Sequence, residues 1–184
     1  MKKRKLKMKS TDTAWSLYQE CQALFPCWCW NEEELKTVTN DRQGDYEIEF
    51  NDTVEADEDL KNMSADNLKE KGIVGITLPE RIKFELDYFK KTGKHLNIQS
   101  WTLCSGSRCS DGDVPGVGWS DCKMRVSWHS PDGAYGNLRS RQAVSKPCNL
   151  NLEYSDTSIL GRLDTLEKFK SEVEKILRIN NRKE

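Results

Sequence analysis

The sequence predicts an α+β fold, because strong helical and strong strand patterns occur in one chain. The helical pattern is clearest in 78–93 and from Thr157 onward, where apolar residues recur at three- and four-residue steps. The strand pattern is clearest in 123–129, where every second residue is apolar. At 184 residues the chain is long enough to bury a core as one domain with short appendages.

Residues 1–10 carry a run of cations, MKKRKLKMK, without the apolar stretch of a secretion signal. We expect a solvated basic tail whose only nucleic-acid contact is a weak one with phosphate. The net charge of −1 argues against strong attraction to nucleic acid or membrane, and no apolar run approaches the ~20 residues that span a bilayer. The expected location is the cytoplasm as the protein is made, with display on a virion or cell surface as the alternative.

The first helix is predicted in 11–25, with Thr11 and Asp12 as candidate N-caps and Pro26 after its end. The CWCW stretch at 27–30 is expected to pack in the core or at an interface, since a C-x-C spacing is a weak redox signal. The cysteine count of seven is odd, so free thiols are expected.

A short strand is predicted in 45–50, because apolar and acidic residues alternate there. The acidic segment that follows is expected to be an exposed connector with a helical turn or two at 64–71. A longer helix follows in 78–93, with Thr77 as its cap and Gly93 as its stop. His95, just past that helix, is expected to be a structural group rather than a catalyst.

From 98 to 144 the sequence predicts short strands joined by loops of small polar residues, the clearest loop being 129–137. Apolar residues supply the predicted inward face: Val114, Val117, Trp119, Met124, Val126, Trp128 and Leu138. Small and polar residues supply a predicted exposed, ligand-binding surface, since loops on a rigid scaffold often carry recognition. These site residues are Cys109, Asp111, Asp113, Gly116, Gly118, Asp121, Cys122, Ser127, His129, Asp132, Gly133 and Tyr135.

Four motifs in this region, WTLCSGSR, VPGVGW, KMRVSWH and GNLRSRQAVS, resemble the variable region of the target proteins of diversity-generating retroelements. That family has a C-type-lectin-like fold. A Gly-Ser-Arg motif opens its diversified stretch, here 106–108, and Leu-Arg-Ser-Arg closes it, here 138–141. In the family the stretch commonly lies at the extreme C-terminus, whereas here a further segment follows.

The resemblance implies a mechanism for the composition of 105–137. Adenine-directed mutagenesis of Asn codons yields Ser, Gly, Asp, His, Tyr, Cys and Arg, but not Glu, Gln, Lys, Met or Trp. The segment contains no Glu or Gln, and its one Lys, one Met and two Trp fall in predicted strands. The implied function is binding of a protein or glycan ligand by a hypervariable surface, with no enzymatic activity and no cofactor.

The chain is therefore expected to contain a basic tail (1–10), a C-type-lectin-like domain (11–152) with a variable region at about 104–145, and an amphipathic helix (153–184). The helix is expected to dock on its own domain or to join protomers into a homo-oligomer. At least one of Arg139 and Arg141 is expected to be buried in hydrogen bonds to the backbone.

Two chemical alternatives remain open at this point. A zinc domain would draw on Cys104, Cys109, Cys122 and His129, together with Cys148, although no paired C-x2-C knuckle is present. A hydrolase would use the loop aspartates with His129 as acid and base groups, but no hydrolase motif accompanies them. The Asp-Gly-Asp stretch at 111–113 supplies too few oxygen ligands to predict calcium.

Overall fold

A computed structural model describes residues 2–147 and gives an α+β fold, which confirms the predicted class. The helices in this part of the chain are α1 (Ala14–Gln22), α2 (Glu32–Thr37), α3 (Ala65–Glu70) and α4 (Leu78–Thr92). The strands there are β1 (Lys3–Met8), β2 (Cys27–Cys29), β3 (Thr39–Asn40), β4 (Tyr46–Asn51), β5 (Trp101–Leu103), β6 (Ser107–Arg108), β7 (Val114–Ser120), β8 (Lys123–His129), β9 (Leu138–Ser140) and β10 (Val144–Pro147). The predicted helix in 153–184 and the thiol of Cys148 lie outside the described residues.

The strands form three small sheets. The largest has the order β2-β8-β7-β5-β9, with β7 antiparallel to both β8 and β5 and with parallel pairs at its two edges. A second sheet has the order β1-β4-β10, and β3 pairs with β6. The first and the last described strands thus both border β4, so the two ends of this unit meet in one sheet.

The expectation of a solvated tail is wrong for Lys3–Met8, which form the edge strand β1. Leu6 and Met8 are buried in the main core, and Leu6 lies opposite Ile48 of β4. The intervening lysines point outward, and Lys5 lies opposite Glu49. Alternation of buried apolar and exposed charged residues makes this segment an amphipathic strand. Lysines on such an edge strand disfavour pairing with a further strand.

The N-cap of helix α1 lies one or two residues after the candidate caps in the sequence. Thr13 is its N-cap, and Thr13 and Ser16 form a reciprocal capping box. Thr11 and Asp12 lie before this cap, and the carboxylate of Asp12 instead accepts a hydrogen bond from the backbone N–H of Lys9 at 2.8 Å. The predicted caps are therefore wrong by one or two residues.

Helix α4 is the main helical support of the core, and its predicted signals are confirmed. Thr77 is the N-cap, Pro79 lies in the first turn, and Gly93 ends the helix with a φ of +64°, where glycine carries no Cβ penalty. Glu80 closes the capping box and also accepts two hydrogen bonds from Arg42, at 2.7 Å each. His95 makes structural contacts, because its Nδ1 lies 3.0 Å from Glu85 and its ring stacks on Trp119.

Apolar residues pack against both faces of the five-stranded sheet. The prediction that the apolar residues of 114–138 share one inward face is therefore wrong. Val117, Met124 and Val126 lie in the main core. Val114 and Leu138 instead belong to a second, smaller cluster on the other face, with Leu60, Ala65, Leu68 and Leu103. The segment expected to be an exposed acidic connector supplies half of this cluster, so its apolar residues are buried and it covers part of the sheet.

Candidate functional site

The candidate site is the part of the outer face of the five-stranded sheet that borders the second apolar cluster, against which Trp101 packs. In the β7–β8 pair, Val117 lies opposite Val126, and Gly118 lies opposite Arg125. Since side chains alternate along a strand, these two pairs face opposite sides of the sheet. The valines enter the main core, so the side of Gly118 and Arg125 is the outer face.

Two glycines of β7 form a flat floor on this face. A Cβ at Gly118 would lie 2.8 Å from Cδ2 of Trp101, because the indole of Trp101 rests directly on the glycine. A Cβ at Gly116 would overlap the imidazole of His129 in the same way. The absence of side chains on this central strand therefore allows two rings from neighbouring strands to lie close against its backbone.

The rings continue into the loop after β8. His129 meets Trp101 edge to face, with 6.3 Å between ring centroids, and lies 6.1 Å from the ring of Tyr135. Tyr135 is 51% exposed and rests on Gly133, whose Cβ position is 3.2 Å from the tyrosine ring. This end of the face is thus a cluster of three aromatic side chains that solvent reaches mainly at Tyr135.

A second aromatic group lies at the opposite edge of the sheet. Trp28 of β2 and Trp30 meet edge to face, with 6.1 Å between ring centroids. The guanidinium of Arg125 lies 5.1 Å from the centre of the Trp28 ring and donates a hydrogen bond to Asp121 at 2.5 Å. Trp30 is 71% exposed, which is an unusually large exposed fraction for a tryptophan. We call Trp28, Trp30, Trp101, Arg125, His129 and Tyr135 together the aromatic face.

The electrostatics of the face favour neutral imidazole at His129. Burial lowers the pKa of His129, and the carboxylate of Asp113 offsets part of this effect. Nε2 of His129 has no hydrogen-bond partner within residues 2–147, and the same holds for Nε of Arg125. A proton added to His129 would place an unpaired charge against Gly116, which makes the ring sensitive to pH.

The predicted site residues fall at two ends of the β7–β8 hairpin. Asp121 and Cys122 form the tip that joins the strands, and both are exposed. The other end carries residues from the loops before β7 and after β8, and Ser127 lies between the ends. Seven residues at ~3.3 Å each separate the two ends by about 20 Å. The residues in or beside the loops of the second end are Asp111, Asp113, His129, Asp132, Gly133 and Tyr135, and the structure brings the His129 and Tyr135 rings to 6.1 Å between centroids.

Three predicted site residues are buried instead of exposed. Gly116 and Gly118 are covered by the rings of His129 and Trp101, so they shape the surface without presenting a side chain to a ligand. Cys109 is 6% exposed, and its N–H donates to the carbonyl of Asp113 at 2.8 Å. Burial raises the pKa of Cys109 to about 12, so this thiol is a neutral packing group.

Four residues of the aromatic face were absent from the predicted site: Trp28, Trp30, Trp101 and Arg125. Trp28 and Trp30 were predicted to pack in the core or at an interface. Trp101 and Arg125 were predicted only as members of alternating strands. Trp101 shares a strand face with Leu103, which is fully buried, so strand alternation alone predicts burial for both. The missing signal was the glycine at 118, because a strand glycine often marks the close approach of another group.

The structure separates the residues of the zinc alternative. Cys104 is fully buried, whereas Cys122 is exposed at the hairpin tip. In residues 2–147 no group of three His, Cys, Asp or Glu side chains is placed to hold a metal ion. The six cysteines described there are free thiols. The aspartates of the hydrolase alternative are likewise divided between the two ends of the hairpin.

Two grooves of about 350 and 360 Å³ lie away from the aromatic face. A groove of about 350 Å³ beside α1 is lined by Lys36 and Arg42, among others. Lys36 pairs with Glu33 at 2.6 Å, and Arg42 pairs with Glu80 and donates to the carbonyl of Gly75 at 2.8 Å. These two cations are therefore engaged in contacts within the fold.

Comparison with known proteins identifies no relative of this chain. No family model, no curated protein and no solved structure matches it. Among the helices of residues 2–147, none is long and apolar enough to cross a membrane. The functional argument therefore starts from the aromatic face and the β7–β8 hairpin.

Proposed function

We propose that this chain is a ligand-binding protein of C-type-lectin-like fold, whose β7–β8 hairpin and adjoining loops display a surface diversified by a retroelement. Binding involves no chemical step. The ligand is a protein or glycan carried by another cell, virus or molecule. The residues free to vary are the exposed members of the predicted site, at the hairpin tip and in the loops at its other end.

The observation that carries this proposal is the division of β8 into two faces. Met124 and Val126 are fully buried, whereas Arg125, Ser127 and His129 lie on the outer face. Of the residue types that adenine-directed mutagenesis does not produce, Met124 is buried and Lys123 lies on the outer face, while Arg125, Ser127 and His129 on that face are types that it does produce. A surface can change under this division without loss of the core.

The composition of the outer surface also supports recognition. Tyrosine supplies rigid amphipathic contact area, and Ser, Asp and Gly supply adaptable hydrogen bonding, as in antibody paratopes. The surface combines Tyr135 with Asp111, Asp132 and Ser127 around the aromatic face. Short strands, the loops between them and first and last described strands that both pair with β4 are the coarse features that support a lectin-like arrangement.

Sequencing of the DNA on both sides of the gene tests the retroelement. We expect a reverse transcriptase gene and a near-copy of the segment that encodes 105–137. Differences between the two copies should fall at adenines of the near-copy, and should change exposed residues such as Asp121, Cys122 and Tyr135. Val117 and Val126 should be identical in both copies.

Two results count against this proposal. Flanking DNA without a reverse transcriptase or a near-copy removes the diversification and leaves a binding module of fixed sequence. Differences concentrated at Val117, Met124 and Val126 contradict the division of the hairpin into core and displayed residues.

A further inference from the structure

We infer that the aromatic face binds a neutral polysaccharide chain of β-linked pyranose units, laid across the strands from Trp30 to Tyr135. This inference rests on the proposed binding function and names the ligand class of the same surface. It depends on three observations: two separated aromatic groups, a polar strip between them, and charged residues without an excess of cations.

The two aromatic groups are set apart by the sheet itself. Trp28 lies opposite Arg125 on β8, Arg125 lies opposite Gly118 on β7, and the indole of Trp101 covers Gly118 from β5. Four neighbouring strands therefore carry one row across the sheet. At ~4.8 Å between strands, the backbones at Trp28 and Trp101 are about 14 Å apart. This distance suits a short run of sugar rings rather than one small ligand.

The strip between the aromatic groups is polar. Arg125 and its partner Asp121 lie there with Lys123, Ser120 and Ser127 on the same outer face. A protein–protein interface has the reverse arrangement, with aromatic residues at a dry centre and polar residues at the rim. Aromatic groups at both ends of a hydrogen-bonding strip are therefore better matched by a chain that alternates apolar ring faces with hydroxyl groups.

The exposed rings have the right chemistry for pyranose units. A pyranose with equatorial hydroxyls presents C–H groups on both ring faces, and these pack against the face of an indole or phenol ring. Its hydroxyls at the ring edge can donate to Asp121 and accept from Arg125 and Ser127. Trp30 at one end and Tyr135 at the other are the most exposed rings of the face, so each is available to such a ring.

The charges on the face favour a neutral chain. The cations Arg125 and Lys123 face aspartates at both ends of the hairpin, and Arg125 is paired with Asp121. Burial lowers the pKa of His129, which favours its neutral ring. Single-stranded nucleic acid also stacks on aromatic residues, but it requires a cationic groove along its phosphates. The aspartates at both ends of the hairpin work against such a polyanion.

Affinity electrophoresis of the full chain tests this inference. Native gels would contain hydroxyethyl cellulose, xyloglucan or galactomannan as neutral probes, and polygalacturonate as the anionic probe. We expect at least one neutral probe to retard the protein and polygalacturonate to have no effect. Trp30→Ala and Tyr135→Ala should each weaken retardation roughly tenfold or more, since each removes one stacking ring.

Ile98→Ala is the matched control, because Ile98 is 57% exposed and lies off the aromatic face. Ile98→Ala should be retarded as strongly as the unchanged protein. The unfolding midpoints of Ile98→Ala, Trp30→Ala and Tyr135→Ala should all equal that of the unchanged protein. Because Trp30 and Tyr135 are exposed, the loss of binding is separable from a loss of folding.

Three outcomes overturn the inference. These are no retardation by any neutral probe, equal retardation of Trp30→Ala and Ile98→Ala, or stronger binding to polygalacturonate or to an oligothymidylate. If flanking DNA contains the reverse transcriptase and the near-copy, such a result removes the polysaccharide and leaves the proposed diversified surface standing. If the DNA lacks both while the gels give the expected result, the surface binds glycans without being diversified.

Discussion

Arg141 donates hydrogen bonds to both the carbonyl and the hydroxyl oxygen of Thr53, at 2.9 and 3.0 Å, from a guanidinium that is fully buried. It also donates to the carbonyls of Asn51 and Val54, and it lies 5.1 Å from the centre of the Phe84 ring. Burial and the neighbouring Arg81 lower the pKa of Arg141, yet four acceptors and an aromatic face stabilise its charge. This side chain thus fixes the turn after β4 against the chain that leaves β9.

Replacement of this arginine should be strongly destabilising. Arg141→Met keeps the aliphatic stem and removes every donor, so the buried carbonyls of the turn lose their partners. An unsatisfied buried polar group costs ~1–3 kcal/mol, so we expect a loss of about 3 kcal/mol or more in the free energy of unfolding. Denaturant unfolding followed by tryptophan fluorescence measures this loss.

Arg139→Met is the matched control two residues away. Arg139 pairs with Glu58 at 2.7 Å, and that glutamate is largely exposed. A pair of this kind contributes about 0–1 kcal/mol. Equal losses for the two variants would contradict a structural role specific to Arg141.

Helix α4 and strand β8 could be predicted from the sequence because their signals are local. Thr77, Pro79 and Gly93 lie at the two ends of the helix and signal where it begins and ends. The alternation in 123–129 predicts both the strand and its two faces. The buried arginine was predicted from the family resemblance and is confirmed at Arg141. Each of these features depends on residues that are close together in the chain.

The features that were missed depend on pairing between distant segments. Lysines alternate with Leu6 and Met8 in β1, but a basic terminal run also fits a tail, and only β4 explains its burial. Trp101 and Gly118 belong to different strands, so no local pattern shows that one covers the other. Along β8, the residues predicted to face outward, Ser127 and His129, do lie on the outer face. Along β7, Gly116 and Gly118 were predicted to be exposed and are buried.

A side chain at residue 118 should disturb the aromatic face. In Gly118→Ala the new Cβ would lie 2.8–3.0 Å from three atoms of the Trp101 ring, so the indole must move outward. Overpacking of this kind costs ~1–3 kcal/mol, and the fluorescence maximum of the folded protein should shift to longer wavelength. Gly136→Ala is the control, since a Cβ there meets nothing within 4 Å. An unchanged spectrum and stability in Gly118→Ala would contradict the close contact.

The lowered pKa of His129 predicts a loss of stability in mild acid. The unfolded state takes up the proton near pH ~6.5, whereas the folded state resists it to lower pH. The stabilising contribution of neutral His129 is therefore complete above about pH 6.5 and is lost as pH falls through that value toward the folded pKa.

His129→Phe keeps a ring on Gly116 and cannot be protonated. Between about pH 8 and pH 5 its free energy of unfolding should fall by less than that of the unchanged protein. An NMR titration of the imidazole should give a pKa below the ordinary value for histidine. A pKa above that value, or identical pH dependence in the two proteins, contradicts the prediction.

Strand β1 should contribute to stability as a core element. Leu6→Ala removes a buried side chain opposite Ile48, and the cavity that remains should cost about 2–4 kcal/mol in denaturant unfolding. Lys5→Ala is the control on the exposed face of the same strand, with an expected change within about 0.5 kcal/mol. If the segment were a solvated tail, both substitutions would have equally small effects.

The turn between β7 and β8 holds two side chains in an unfavourable backbone conformation. Asp121 and Cys122 have φ values of +49° and +58°, as in the type I′ turn of a two-residue hairpin, where glycine is preferred at the second residue. Cys122→Gly should therefore stabilise the protein by about 1 kcal/mol. Cys122→Ser removes the thiol without relieving the backbone, and it should change stability by less than about 0.5 kcal/mol. Because the strain belongs to the turn and not to the sulfur, equal stabilities of the glycine and serine variants in denaturant unfolding would contradict it. A cysteine tolerated at this strained and exposed turn is what the proposed diversification predicts, since mutagenesis acts without regard to backbone preference and the core of the hairpin supplies enough stability to absorb the cost.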